Sequence, residues 1–212
     1  MTIRISPATR ALLDESDLEV ALPDLAAKGG WGGVFGVDEC PAMGLEIGIG
    51  KDPHIVERAA AAPERFFVGI EHSKKKLEKV HAKAIRRGVR NLRLLRADIF
   101  RILDKVFPDG RLDAAWIFFP DPWPKKRHHK KRMVQHSLMG MLARKLQVGS
   151  PVELRTDHAD YKDQMVRVIA ESTSYRNEVS DGYRTSPLPD RPHFPTLFET
   201  KYRERDITIH YL

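Results

Sequence analysis

A glycine turn, four acids and a dense run of cations are the residues in this sequence whose spacing suits chemistry. The turn is Leu45-Glu46-Ile47-Gly48-Ile49-Gly50-Lys51, an apolar run that closes on two glycines and leads to Pro53, a residue suited to a first helical turn. Beyond the carboxyl end of a parallel strand, glycines let the backbone come close to a ligand. Paired glycines at a turn are common, so the weight falls on the acids nearby. Glu71 ends the next apolar run, at about the 20-residue spacing where nucleotide-binding folds place an acid to accept hydrogen bonds from two ribose hydroxyls. Asp98 closes Leu94-Leu95-Arg96-Ala97-Asp98. It suits either a contact to an adenine amino group or the cap of the following helix.

Two cofactor classes share this arrangement. A nicotinamide dinucleotide needs a third glycine, so that its pyrophosphate lies over a helix N-terminus. That glycine is missing, and Glu46 stands just ahead of the turn. A carboxylate there repels a pyrophosphate but suits the ammonium of a methionine moiety, which favours S-adenosylmethionine. The competing role for Glu46 is an ion pair with Lys51.

The second group is Pro120-Asp121-Pro122-Trp123-Pro124, directly after the apolar run Leu112–Phe119. Three prolines in five residues stiffen a loop at the edge where such folds carry function. Asp121, held between two of them, is the candidate catalytic carboxylate. Trp123 suits either a wall of a base pocket or a core anchor. Lys125, Lys126, Arg127, Lys130, Lys131 and Arg132 then fall within eight residues, with His128 and His129 among them. A run of one sign can bind successive phosphates, with affinity that depends steeply on salt. Adjacent histidines are poorly spaced to share a metal, so phosphate or sugar contacts are expected and no metal site is.

The elements that must position these residues read as strand alternating with helix. Strands are expected at Met43–Ile47, Phe66–Ile70, Leu92–Leu95, Leu112–Phe119 and Val152–Leu154, with a late one at Ile207–Leu212. Ser73 can cap a helix with Leu77, Val80, Ala84 and Ile85 on one face, closed by Gly88. Further helices carry Val134, Leu138, Met141, Leu142 and Leu146, and then Tyr161, Met165, Val168 and Ile169. The pattern predicts an α/β fold with a mostly parallel sheet, helices on both faces and an antiparallel strand near the C-terminus. Residues 184–195, with four prolines, read as a loop. Residues 1–30 show little periodicity and read as an N-terminal arm before a single domain at 31–212.

At 212 residues, 42% hydrophobic and 31% charged, the composition is that of a soluble globular protein. No apolar stretch is long enough to span a bilayer, and the first residues lack the pattern of a secretory signal. The single cysteine, Cys40, excludes a disulfide framework and fits a reducing cytoplasm. The net charge of +7 is moderate, and its concentration at 125–132 points to a nucleic-acid partner. A monomer or homodimer is expected.

The sequence resembles the bacterial tRNA (guanine-N7)-methyltransferases. The likeness runs from Trp31-Gly32-Gly33-Val34-Phe35-Gly36 through the glycine turn, Gly69-Ile70-Glu71, the 120–132 block, Arg155-Thr156-Asp157 and Arg191-Pro192 to Thr196-Leu197-Phe198-Glu199. The block at 120–132 is highly specific, whereas the turn is shared by many methyltransferases. The resemblance implies a Rossmann-like class I methyltransferase fold. It also implies that Glu46, Gly48, Gly50, Glu71, Asp98 and Asp121 contact S-adenosylmethionine. Lys125, Asp157, Thr196, Leu197, Phe198 and Glu199 would hold the substrate, and Arg127, His128, His129, Lys130, Lys131 and Arg132 would touch tRNA. Asp52 stands where the family usually has glycine; aspartate tolerates a left-handed backbone better than most residues. A nicotinamide-dependent reductase or a small-molecule methyltransferase gives the basic run no role. A non-catalytic RNA-binding module gives none to the carboxylates.

Overall fold

Strands form where the sequence is predominantly apolar, because a strand covered on both faces has little polar side to show. The computed structural model describes residues 11, 13, 16–189 and 191–212, and the rest of the expected arm lies outside them. The chain divides into two compact units, residues 1–99 and 100–212.

In the first unit, β1 (Glu19–Val20), β2 (Met43–Ile47), β3 (Phe66–Ile70) and β4 (Leu92–Leu95) lie in the order β1-β4-β3-β2. All three pairings are parallel, with Glu19 opposite Leu94, Gly69 opposite Leu94 and Glu46 opposite Gly69. Part of the stretch without periodicity therefore supplies an edge strand and a helix, α1 (Leu22–Ala27). Leu18, Val20 and Leu25 are buried there. Two-residue strands and six-residue helices are too short to show a period in sequence.

Helix α2 (Trp31–Phe35) follows, and a Cβ on Gly33 would stand 1.8 Å from the Lys28 carbonyl oxygen. That approach requires glycine at 33, and a Cβ on Gly32 would stand 3.0 Å from the backbone of Glu39. Between β2 and β3 runs α3 (His54–Ala61), and between β3 and β4 runs α4 (Lys74–Arg87). Leu77, Val80 and Ala84 of α4 are buried, and Gly88 closes it with its N–H on the carbonyls of Ala84 and Ile85. Ser73 takes the N-cap position but makes no side-chain capping bond. Its N–H is held instead by Glu71, and this corrects the expected hydroxyl cap.

The second unit holds β5 (Leu112–Phe118), β6 (Val152–Thr156) and β7 (His210–Tyr211). β5 and β6 are parallel, with Phe118 opposite Arg155; β7 runs antiparallel to β6, with Tyr211 opposite Arg155. The late strand is thus shorter than Ile207–Leu212, and its antiparallel sense is as expected. Helix α5 (Ile99–Val106) precedes β5, α6 (His136–Lys145) and a 3₁₀ turn at Lys126–Lys131 lie between β5 and β6, and α7 (Ala159–Ala170) and α8 (Leu197–Arg203) follow β6. In α7, Tyr161, Met165, Val168 and Ile169 are all buried. Among the described residues no helix is long and apolar enough to cross a membrane.

Candidate functional site

The glycine turn leaves β2 as two left-handed residues, Gly48 (φ 74°) and Gly50 (φ 60°), a backbone that side chains disfavour. Glu71, at the end of β3, ties this turn to the next. One carboxylate oxygen accepts the Gly50 N–H at 3.0 Å and the other accepts the Ser73 N–H at 2.9 Å. The carboxylate is buried, so the two donors offset its desolvation. Oε2 keeps a further lone pair for a ligand hydroxyl, while Oε1 also lies 3.1 Å from Nδ1 of His72.

Glu46 does not pair with Lys51. It is 3% exposed, and Oε2 lies 2.7 Å from Nδ1 of His54, a residue that sequence reasoning missed. Arg58 donates to the other ring nitrogen of His54 at 2.9 Å, so Nδ1 carries the imidazole proton and donates to Glu46. The i, i+4 pair His54 and Arg58 therefore holds Glu46 through a neutral ring and leaves its negative charge in place. A helical histidine eight residues after a strand acid has no sequence signature. Asp52 is buried too, and its carboxylate accepts the His54 N–H at 3.0 Å. It has no left-handed backbone; it braces the start of α3. Asp98 is exposed immediately before α5. Two buried acids at strand ends, Glu46 and Glu71, with the exposed Asp98 and an open glycine turn, fit a ligand with a cationic end and a ribose.

In the second unit the Pro120–Pro124 loop is strained on both sides of Asp121. Phe119 (φ 47°) and Trp123 (φ 43°) both hold left-handed backbones, which in bulky residues persist only where the surroundings enforce them. The Phe119 N–H donates to the Arg155 carbonyl at 2.8 Å. Behind the loop, Arg132 donates to the Pro122 carbonyl at 2.7 Å, to Gln164 at 2.9 Å and to Asp160 at 2.5 Å, and its guanidinium covers the Tyr161 ring at 4.8 Å. Arg132 is 1% exposed. Unlike those of the other cations of the run, its donors are committed to holding the loop. Burial pushes the Tyr161 phenol up to about 12, and its oxygen accepts the Val134 N–H.

Asp121 itself is exposed, as are Lys125, Lys126, Arg127, Lys130 and Lys131, while His128 and His129 are half-buried. Trp123 is not a core anchor. It is half-buried, with Lys131 over its face at 4.7 Å and His128 edge-on at 5.7 Å.

The Thr196–Glu199 stretch divides. Thr196 caps α8 by accepting the Glu199 N–H at 3.0 Å. Glu199 is fully buried and meets Arg155 at 2.9 Å and His193, Tyr211 and Arg203 at 2.8 Å each. Both residues face inward, where the cap of α8 and the cluster around Arg155 already use their polar atoms. Leu197 and Phe198 are exposed. Asp157, after β6, is half-buried beside Tyr202, and burial and this carboxylate both push the Tyr202 phenol upward. A cavity of about 390 Å³, lined by Pro151, Val152 and the 174–179 segment, contains none of the expected site residues.

Residues 41–212 match the family described as "Putative methyltransferase". The chain belongs to that methyltransferase family. A tRNA (guanine-N(7)-)-methyltransferase of Chromohalobacter salexigens is 38% identical over 161 residues, 76% of this chain and 64% of the relative. One of Photobacterium profundum is 39% identical over 163 residues, 77% of this chain and 65% of that protein. The chain thus spans just under two-thirds of the length of the curated relatives it matches. Among solved structures, the precorrin-6y C5,15-methyltransferase of Geobacter metallireducens has a TM-score of 0.51 at 14% identity, covering 82% of this chain and 79% of that one. The 16S rRNA methyltransferase KamB also scores 0.51, at 17% identity, covering 80% and 85%. The expected Rossmann-like methyltransferase fold is borne out.

Proposed function

We propose that this protein transfers a methyl group from S-adenosylmethionine to N7 of a variable-loop guanosine in tRNA. The observation that carries the reading is the 120–132 segment, where an exposed carboxylate on a strained, braced loop runs straight into five exposed cations. The family and the names of the relatives support it.

S-adenosylmethionine supplies an electrophilic methyl group. Glu46, Gly48, Gly50, Glu71 and Asp98 would hold it, with Asp121 as a further contact. Guanine N7 has a free lone pair, so no base is needed to create the nucleophile. The residues' work is orientation, which can supply about 7–11 kcal/mol of barrier reduction where alignment is good. Methylation leaves positive charge on the imidazole ring of the base, and Asp121 is the carboxylate to stabilise it. Lys125 and Asp157 orient the nucleoside, while Arg127, Lys130 and Lys131, with His128 and His129, follow the phosphates. The narrow major groove of A-form RNA hides N7, so the base must be met unstacked.

The test is transfer from radiolabelled S-adenosylmethionine to unmodified tRNA, with the nucleoside identified by mass spectrometry. N7-methylguanosine in the variable loop is expected, and a methyl group elsewhere, or none, rejects the reading. Glu71→Ala removes the acceptor shared by two turns. Calorimetry should then show cofactor affinity lowered by about tenfold or more, the loss of one charged hydrogen-bond partner. Unchanged affinity would remove Glu71 from the cofactor site.

A further inference from the structure

The outer side of α4 carries a second concentration of positive charge, apart from the 125–132 run. Its 14 residues hold seven cations and a single acid, Glu78, which is buried. Lys75, Lys76, Lys79, Lys83, Arg86 and Arg87 fall within about one third of the helix circumference, opposite the buried Leu77, Val80 and Ala84. The row runs for about 18 Å at the rise of an α-helix. Lys75, Lys76, Arg86 and Arg87 are exposed, and Lys79 and Lys83 are half-buried.

Little within the first unit answers this charge. Arg87 meets Glu57 at 3.3 Å in an exposed pair, and Lys83 donates to the Lys51 carbonyl at 2.6 Å. Among the described residues Lys75, Lys76, Lys79 and Arg86 make no ion pair. Burial, against the pull of Asp52 and with Arg86, Lys51 and Lys79 nearby, holds the Lys83 ammonium below its usual range. A solvated helix face usually mixes signs, because opposite charges at i, i+4 support a helix and like charges weaken it. Here Lys75 and Lys79, Lys79 and Lys83, and Lys83 and Arg87 are all like pairs. The first turn, Lys74-Lys75-Lys76, has no acid, at the end where the helix dipole disfavours cations. Left to itself the arrangement weakens α4, and a polyanion brought to the face reverses that.

We infer that the outer face of α4 is a second docking surface for the tRNA backbone, with Lys75, Lys79 and Arg86 along its middle facing phosphates. Ammonium and guanidinium groups in a row match a chain of phosphates. A helix that lies on a membrane needs an apolar face free to enter the lipid. That side of α4 is buried, and none of its large apolar side chains is exposed. The inference rests on the proposed function, whose substrate RNA both cationic stretches contact.

The triple variant Lys75→Gln, Lys79→Gln, Arg86→Gln tests it in the full chain. The exchanges relieve like-charge repulsion and so leave the helix in place. Affinity for unmodified tRNA should fall about tenfold or more at low salt. The slope of log affinity against log salt should shrink by about 2–3, the share of three phosphate contacts. Single-turnover methyl transfer at saturating tRNA should be kept. A control with the same change of net charge, Lys28→Gln, Lys105→Gln, Arg111→Gln, removes exposed cations off this helix and should leave the slope nearly unchanged. Unchanged affinity and slope in the α4 variant, or an equal loss in the control, would overturn the surface. So would wild-type protein that sediments with phosphatidylserine vesicles through these three residues while its tRNA affinity ignores them, since the face would then belong to a membrane. If the α4 variant loses affinity and slope while wild type methylates no guanosine, the surface stands and the proposed function does not. If wild type makes N7-methylguanosine and the variant binds tRNA equally well, the surface falls alone.

Discussion

Asp121→Ala should lower single-turnover methyl transfer to tRNA by about 10²–10³-fold, the usual loss when one fixed electrostatic group is removed from a reacting centre. Affinity for tRNA should scarcely change. The two effects separate because none of the braces of the loop runs through this carboxylate. Pro122 is held by Arg132, Phe119 by the Arg155 carbonyl, and Trp123 lies beneath Lys131. Deleting the carboxylate therefore leaves the strained backbone in place and removes only a charge. Quench-flow rates at saturating cofactor, set beside filter-binding affinities, make the comparison. If affinity fell and the rate at saturation did not, Asp121 would be a binding residue and the catalytic assignment would be lost.

Glu199→Ala is expected to destabilise the protein by about 3–5 kcal/mol, the range found when one partner of a buried ion pair is removed. Glu199 and Arg155 are both fully buried. Arg155 retains Glu153 at 2.8 Å and the Phe194 carbonyl at 3.1 Å, and it lies 3.9 Å from the Phe118 ring, yet it would lose its buried counter-charge. His193 and Tyr211 would lose their acceptor as well. Burial already pushes the Tyr211 phenol up to about 12, so it cannot answer the loss by ionising near neutral pH. Urea unfolding gives the number. Arg155→Met combined with Glu199→Met should be far milder than Glu199→Ala alone, since an apolar pair strands no charge. A loss below about 1 kcal/mol for Glu199→Ala, the range of an exposed pair, would mean that the cluster holds little of α8 in place.

Much of this arrangement was legible in the sequence. The strands β2, β3 and β4 begin and end where the apolar runs do, because a parallel strand covered on both faces is mostly apolar, with Glu46 and Arg93 as the buried charged exceptions. The glycine turn, Glu71 at a strand end and the proline-bound Asp121 could be found because their positions are set by local chain geometry. The edge strand at Glu19–Val20 could not, since its two residues take their conformation from pairing with β4 and from no period of their own.

Side-chain direction was the other thing hidden. Arg132 looks like its neighbours in a basic run, and Glu199 looks like a substrate acid in a short motif. The fold turns both inward, where Asp160 and Gln164 take up the one and Arg155, His193 and Tyr211 the other. Glu46 similarly finds His54 rather than Lys51. The sequence by itself determined the alternation of the main strands and helices, which follows from local periodicity, and its motifs carried the resemblance from which the family and most of the site residues were drawn. Only the tertiary structure decided which of those polar groups are already satisfied and which, like Asp121, remain open to a ligand. The reason is that a buried charge must find a partner, and its partners come from segments that sequence distance does not reveal.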